Sequence, residues 1–202
     1  MHIFSGLYKN RKISSPKGEK TRPTSGRLRE ALFNICQGEI ENANFLDLFA
    51  GSGAMGLEAL SRGAGWATFV DNSKESIRCI QTNIRALEVE KSTQVIYGDV
   101  FSTLKYFAKQ GKNSKVFDLI YADPPYESFI DDSLEKIAFS AQIVSLIDTL
   151  IEAGCSPLSA NGSLFIEDAV KVISNEQEPY KNLTLRSTRT MGRSALQHWI
   201  RS

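Results

Sequence analysis

Short apolar runs alternate with helical patterns along most of the chain, and this alternation limits the folds available to it. Runs rich in apolar and β-branched residues predict strands at 44–49, 66–70, 93–97, 115–121 and 162–167. Between them, an apolar period of 3.6 residues predicts helices at 54–62, 74–87, 101–110 and 132–153. Strands that alternate with helices in this way form a parallel sheet with helices on both faces.

The two ends of the chain depart from this alternation. Two strand-like runs, 183–189 and 195–201, follow each other without a helix, so we expect an antiparallel hairpin at one edge of the sheet. Residues 2–14 predict a small β-hairpin and residues 14–23 a loop. A helix is expected from about residue 24, with Arg27, Arg29 and Glu30 facing solvent. We therefore predict an extension at 1–23 and one α/β domain at 24–202.

Charge is distributed unevenly along the 202 residues. The first 30 hold eight Lys/Arg and two Glu, a balance of +6, whereas the remaining 16 basic and 21 acidic residues give −5. A basic extension on a mildly acidic body is typical of a phosphate-binding arm. Its candidate nucleic-acid contacts are Lys9, Arg11, Lys12, Arg22 and Arg27.

Cysteine and histidine usage excludes several classes of site. The three cysteines form no C-x-x-C pair, which favours a reducing cytoplasm and argues against structural zinc. The two histidines stand at opposite ends, which argues against His-ligated metals and Ser-His-Asp catalysis. No apolar run reaches membrane-spanning length, and no signal-peptide pattern is present. We expect a cytoplasmic protein, monomeric, with neither a metal nor a membrane partner.

A glycine-rich turn follows the first predicted strand. Gly51, Gly53 and Gly56 match G-x-G-x-x-G, and glycines let the backbone turn sharply and approach a ligand closely. Asp71 ends the next strand, where it could accept hydrogen bonds from ribose hydroxyls. A dinucleotide-dependent enzyme would show the same elements.

Two further carboxylates distinguish a dinucleotide from a nucleoside ligand that has no phosphate. Asp47 lies at the end of the first strand, where it could meet a cationic group, and Asp99 follows the third strand, where it could accept from an adenine amine. Carboxylates after three neighbouring strands suit a ligand that has an ammonium group, a ribose and an adenine but no phosphate. A pyrophosphate would favour a helix N-terminus without a nearby carboxylate. The pattern predicts S-adenosylmethionine.

The sequence Asp123-Pro124-Pro125-Tyr126 follows the fourth predicted strand. The two prolines stiffen the turn and leave its carbonyl groups free to accept hydrogen bonds, and the Asp123 carboxylate accepts more. The Tyr126 ring offers a flat stacking face. Acceptors beside a stacking plate indicate a planar substrate with an NH2 group, and so the exocyclic amine of a nucleobase.

Together the residues 47–53, 123–126 and 22–34 resemble the bacterial 16S rRNA (guanine-N2)-methyltransferases of the RsmD type. This resemblance implies a Rossmann-like class I methyltransferase fold with strand order 3-2-1-4-5-7-6. It also implies S-adenosylmethionine as the methyl donor. The implied target is one guanine of 16S rRNA in the small ribosomal subunit or its assembly intermediate.

The resemblance also implies roles for individual residues. Asp47, Phe49 and the three glycines would cradle the methionine end of the cofactor, with Thr24 nearby. Asp71 would hold the ribose, and Asp99 with the Val100 backbone would hold the adenine. Asp123 and the Pro124 carbonyl would accept from the guanine amine within the Asp123–Tyr126 turn, and Tyr126 would stack on the base.

Other functions remain open on the residues alone. An adenine-N6 DNA methyltransferase could use the same Asp-Pro-Pro-Tyr turn, although such enzymes usually carry a separate target-recognition domain. A protein-glutamine methyltransferase more often has Asn at position 123. A nicotinamide-dependent oxidoreductase would use the glycine turn and leave Asp-Pro-Pro-Tyr without a role. A noncatalytic RNA-binding module is the remaining alternative.

Overall fold

A seven-stranded sheet forms the centre of the computed structural model, which describes residues 1–16, 26–110, 115–125, 139–169 and 180–202. The strands are β1 (Asn44–Leu48), β2 (Trp66–Asp71), β3 (Thr93–Tyr97), β4 (Phe117–Ala122), β5 (Leu158–Ala169), β6 (Leu183–Met191) and β7 (Ser194–Arg201). The helices are α1 (Gly26–Ile35), α2 (Ala54–Ser61), α3 (Lys74–Leu87), α4 (Val100–Lys109) and α5 (Phe139–Glu152).

The strand order is β3-β2-β1-β4-β5-β7-β6. Strands β1 to β5 pair in parallel, and β7 runs antiparallel to both β5 and β6. This order confirms the predicted class I methyltransferase fold, including the antiparallel hairpin at the C-terminal edge. None of the helices in the described parts of the chain is long and apolar enough to cross a membrane.

Most element boundaries agree with the sequence prediction within a few residues. Helix α4 begins one residue earlier than expected, at Val100, because the Asp99 side chain caps it by accepting from the Ser102 N–H at 2.8 Å. Strand β5 extends beyond the predicted 162–167 at both ends. The first part of the helix expected at 132–153 lies outside the described residues.

The sheet separates two apolar layers. Phe45, Phe69 and Tyr121 project toward the layer that contains α1, α2 and α3. Their neighbours along the strands, such as Leu46 and Ile120, project toward α4 and α5. Because successive side chains of a strand alternate between faces, a parallel strand covered on both sides must be apolar throughout. This requirement explains the continuous apolar runs in the sequence.

The N-terminal segment forms only a short version of the predicted hairpin. One antiparallel bridge joins His2 to Lys12, and beside it the Ile3 N–H donates to the Arg11 carbonyl and the Ile13 N–H to the Met1 carbonyl, each at 3.0 Å. Gly6 (φ 81°) turns the chain, and Leu7, within the stretch predicted as a hairpin, is 80% exposed in the turn. The backbone N–H groups of Phe4 and Ser5 donate to the Glu58 carboxylate instead of across a hairpin. The segment is therefore held by the domain body.

The prediction that Arg29 faces solvent was wrong. Its side chain is 2% exposed, and its guanidinium lies 3.8 Å from the buried Glu58 carboxylate and 4.7 Å from the Phe4 ring centroid. Burial is the main cause that lowers the pKa of Arg29, and the charge of Glu58 opposes this shift. A long-range ion pair therefore overrides the amphipathic pattern of α1.

Candidate active site

The glycine turn and the proline turn lie side by side. β1 and β4 are parallel neighbours with Leu48 opposite Ala122, so both turns begin at the carboxyl ends of the strands, on the same side of the molecule. The Asp123 N–H donates to the Leu48 carbonyl over a long contact of 3.5 Å. From β1 the chain proceeds to β2 on one side, whereas β4 is followed by β5 on the other. Ligands of open α/β sheets bind at such a switch point.

The glycine turn has an unusual backbone. Phe49 adopts φ 57°, a left-handed conformation that is uncommon for a bulky residue, and Gly51 and Gly53 have φ 55° and 76°. A Cβ on Gly53 would lie 3.2 Å from Phe69, whereas one on Gly51 would have only the Phe49 carbonyl oxygen within 4 Å, at 4.0 Å. The space beside Gly51 suits the close approach of a ligand.

Asp47 and Gly56 contact each other directly. The Asp47 carboxylate accepts from the Gly56 N–H at 2.9 Å, and Asp47 is 1% exposed. Burial raises the pKa of Asp47 to about 8, the charge of Asp71 adds to the shift, and the Gly56 N–H opposes it. A Cβ on Gly56 would lie 2.4 Å from Phe69 Cε1. Gly56 therefore allows α2 to pack closely on β2, while Asp47 fixes the start of that helix.

Asp71 joins the glycine turn to the end of β2. One of its carboxylate oxygens accepts from the Gly51 N–H and the other from the Ser73 N–H, each at 2.8 Å. Each carboxylate oxygen can accept more than one hydrogen bond, so the group retains capacity toward a diol. Asp99 is exposed at the end of the next strand, and Val100, which follows it, is buried in α4.

The described part of the proline turn places Asp123 half-buried, Pro124 buried and Pro125 exposed. The other two residues predicted at the site, Tyr126 and Thr24, lie outside the described residues. The structure thus brings together the ends of β1, β2 and β4 with the carboxylates of Asp47, Asp71 and Asp123.

The predicted RNA-contacting residues of the described chain are all exposed, namely Lys9, Arg11, Lys12 and Arg27. Arg11 also donates to the Ala86 carbonyl at 2.6 Å, close to the C-terminus of α3. Arg22 lies outside the described residues. Lys9, Arg11 and Lys12 are therefore available to solvent while the backbone of the described segment is attached to the body.

Sequence reasoning missed three buried polar residues that attach the N-terminal segment, namely Glu58, Ser61 and Asn83. Ser61 Oγ accepts from the Tyr8 N–H at 2.9 Å and donates to the Ser5 carbonyl at 2.5 Å. A signal was present, because Glu58 interrupts an otherwise apolar helix and Asn83 lies on the same helical face as Ile80 and Leu87.

A surface pocket lies beside the amino-terminal ends of β1 and β4, at the ends of the strands opposite the two turns. Its lining includes Glu39, Glu41, Asp118 and Asn161. Asp118 accepts from the Asn44 N–H at 2.9 Å, at the amino-terminal end of β1. The acidic lining of the pocket does not suit RNA phosphates, and the pocket is remote from the glycine turn predicted to hold the cofactor.

Comparisons with known proteins identify the family. The model of the family described as Conserved hypothetical protein 95 matches residues 1–200. The chain is 29% identical over 172 residues to Ribosomal RNA small subunit methyltransferase D of Escherichia coli (strain K12), covering 83% of each chain. It is 36% identical over 126 residues to the protein of that name from Haemophilus influenzae, covering 62% of this chain and 64% of that protein.

A solved structure, that of yhhF from Escherichia coli, shares the whole fold. The two chains have a TM-score of 0.77 at 28% identity, covering 100% of this chain and 98% of that chain. The match of the family model over nearly the full length agrees with the resemblance carried by the two turns. The chain therefore belongs to the Conserved hypothetical protein 95 family and is an RsmD-type methyltransferase.

Proposed function

We propose that this protein transfers a methyl group from S-adenosylmethionine to the N2 amine of a guanine in 16S rRNA of the small ribosomal subunit. The observation that carries the proposal is the adjacency of the two turns at the switch point, joined by the contact between Asp123 and Leu48. In this proposal residues 24–202 are the catalytic domain and residues 1–23 the RNA-facing extension of a cytoplasmic monomer.

The residues beside the glycine turn fit the cofactor. The open space at Gly51 would admit the methionine portion of the ligand, with Asp47, Phe49, Gly53 and Thr24 around it. Asp71 would accept from the ribose hydroxyls, because each of its oxygens has one backbone donor and capacity for another. Asp99, with the Val100 backbone, would hold the adenine. Relatives named as methyltransferases support the same cofactor class.

The proline turn would hold the acceptor. The Asp123 carboxylate and the Pro124 carbonyl would each accept one hydrogen of the guanine N2 amine. Because the N2 lone pair is delocalised into the ring, fixing both hydrogens favours a pyramidal nitrogen and directs its lone pair. Pro125 would stiffen the turn, and Tyr126 would stack on a base that has left its helix. Such a stacking contact is worth roughly 1–3 kcal/mol.

Catalysis in this proposal depends mainly on positioning. Bound S-adenosylmethionine supplies an activated sulfonium methyl group. The chain aligns the guanine nitrogen with that methyl through the rigid proline turn, and the fixed carboxylate of Asp123 stabilises the positive charge that develops on the nitrogen. The parallel pairing of β1 and β4 would keep the donor and acceptor positions in a constant relation.

The exposed basic residues would bind RNA phosphates. Lys9, Arg11, Lys12 and Arg27 are exposed, and Arg22 is the fifth candidate. Contacts of this kind are independent of sequence and weaken as counterions compete, so RNA affinity is expected to fall steeply with salt.

A methyl-transfer assay tests the proposal. The protein is incubated with tritiated S-adenosylmethionine and either small subunits, free 16S RNA or duplex DNA, and the product nucleosides are identified by mass spectrometry. We expect N2-methylguanosine in 16S RNA. Methylated adenine in DNA would instead identify the alternative adenine-N6 enzyme. Calorimetric titration with NAD is a further control, since binding of a dinucleotide in place of S-adenosylhomocysteine would overturn the cofactor assignment.

A further inference from the structure

Asn83 of α3 is a buried polar residue that contacts both the N-terminal segment and the glycine turn. It is 1% exposed. Its Oδ1 accepts from the Ser14 N–H at 2.7 Å, and its Nδ2 donates to the Ser14 carbonyl at 3.1 Å. The same Nδ2 donates to the carbonyl of Ser52, between Gly51 and Gly53, at 2.9 Å. One amide thus connects residues 52 and 14, which are far apart in sequence.

We propose that Asn83 is a positioning residue that couples RNA binding by the N-terminal segment to cofactor binding at the glycine turn. The inference rests on the proposed function, because it assigns both ligands to the sites described above. Movement of the segment at Ser14 would move the amide that holds Ser52, and ordering of the turn by a cofactor would fix the amide that holds Ser14. Coupling of this kind is reciprocal.

Two anchors on α2 provide a comparison, in addition to the Arg29 guanidinium, which donates to the His2 carbonyl, and the Ser52 hydroxyl, which donates to Met1 Sδ. Glu58 holds Phe4 and Ser5, and Ser61 holds Ser5 and Tyr8, both on α2. Of Glu58, Ser61 and Asn83, Asn83 alone also contacts the glycine turn. Loss of Ser61 Oγ should therefore loosen the segment without affecting the turn, whereas loss of the Asn83 amide should affect both.

Asn83→Asp is the sharpest perturbation, because it keeps the shape and the acceptor for the Ser14 N–H. It replaces the NH2 donor with an oxygen that faces the carbonyls of Ser52 and Ser14. The carbonyls of Ser52 and Ser14 then lose their buried donor. We expect this loss to weaken the binding of S-adenosylhomocysteine and of RNA by roughly 5- to 150-fold each. Ser61→Ala is the matched control, since it releases the same segment at a point remote from the turn.

Affinity is measured for S-adenosylhomocysteine by calorimetry and for 16S RNA by filter binding, with circular dichroism as the check on folding. We expect Asn83→Asp to weaken both affinities and Ser61→Ala to weaken only that for RNA. The inference would be overturned if folded Asn83→Asp bound S-adenosylhomocysteine with wild-type affinity. It would also be overturned if Ser61→Ala weakened the binding of S-adenosylhomocysteine as much as Asn83→Asp does. Wild-type protein that binds no S-adenosylhomocysteine would overturn the proposed function, and this inference with it.

Hydrogen exchange of the wild-type protein tests the same coupling without a variant, and so applies even where Asn83→Asp does not fold. S-adenosylhomocysteine should slow exchange at the Ser14 amide as well as in the glycine turn, because Asn83 connects the two. Protection confined to the glycine turn would overturn the inference.

Discussion

Replacing Glu58 with Gln should destabilise the protein strongly, because this carboxylate holds the N-terminal segment to the domain body. Its side chain is fully buried and accepts from the Phe4 N–H at 2.8 Å and the Ser5 N–H at 3.0 Å. It also pairs with Arg62 at 2.8 Å and with Arg29 at 3.8 Å. In Glu58→Gln, an NH2 group would face one of the two backbone donors, and Arg29 would lose its counterion.

The expected cost follows from the burial of these charges. Removing one partner of a buried ion pair costs about 3–5 kcal/mol, because the remaining charge is left without compensation. In a protein of this size each kcal/mol lowers the melting temperature by about 2–4 °C, so a fall of roughly 6 °C or more is expected. Thermal and urea denaturation give the free energy of unfolding, and trypsin should cut faster at Lys9, Arg11 and Lys12.

Glu152→Gln is the matched control. Glu152 pairs with Lys181 at 2.8 Å, but the two side chains are 57% and 72% exposed. Solvent and salt screen such a pair, so the melting temperature of Glu152→Gln should stay close to that of the wild type. Equal melting temperatures for Glu58→Gln and Glu152→Gln would refute the reasoning.

Three further changes test the packing and the buried charges. Gly56→Ala should lower the free energy of unfolding in urea by about 1–3 kcal/mol through its clash with Phe69, whereas Gly38→Ala, with nothing within 4 Å, should not; equal stabilities would contradict the clash. The raised pKa of Asp47, about 8, means that the folded state binds more protons than the unfolded chain from about pH 4 to pH 8. The contribution of Asp47 to stability should therefore fall as pH rises through this window, and Asp47→Asn should remove that contribution from the measured pH profile. Burial lowers the pKa of His198 from 6.5 to about 4, so the contribution of His198, whose pH dependence has the opposite sign, should fall by about 3 kcal/mol as pH drops from 7 to 4. An acid slope in His198→Asn equal to that of the wild type would contradict this.

Local pattern was sufficient for the strands of the sheet, whereas the adjacency of the two turns also required the strand order. A parallel strand buried on both faces needs a continuous apolar run, and such runs are visible without any long-range information. Once β1 and β4 are neighbours, their carboxyl ends lie side by side, so the adjacency of the two turns that follow them comes from the order of the strands. The predicted order came from the family resemblance and not from the residue pattern.

The attachment of the N-terminal segment could not be predicted in the same way. Helical periodicity assigned Arg29 to the solvent face, and its burial depends on Glu58, 29 residues further along the chain. The glycine pattern was also ambiguous, because it does not distinguish a glycine that admits a ligand from one that admits a neighbouring side chain. Gly51 has open space, whereas Gly56 packs against Phe69.

A comparison of two aspartates near the two ends of β4 tests the central claim most directly. Asp118 and Asp123 lie near opposite ends of β4, so Asp118→Ala and Asp123→Ala make the same chemical change at the remote edge and at the candidate site. The measurement is the single-turnover rate of tritiated-methyl transfer to small subunits, with binding of S-adenosylhomocysteine and of 16S RNA recorded for each variant. We predict that Asp123→Ala slows transfer by roughly 100-fold or more while both ligands still bind, and that Asp118→Ala transfers at the wild-type rate. Transfer by Asp123→Ala at the wild-type rate would contradict the account.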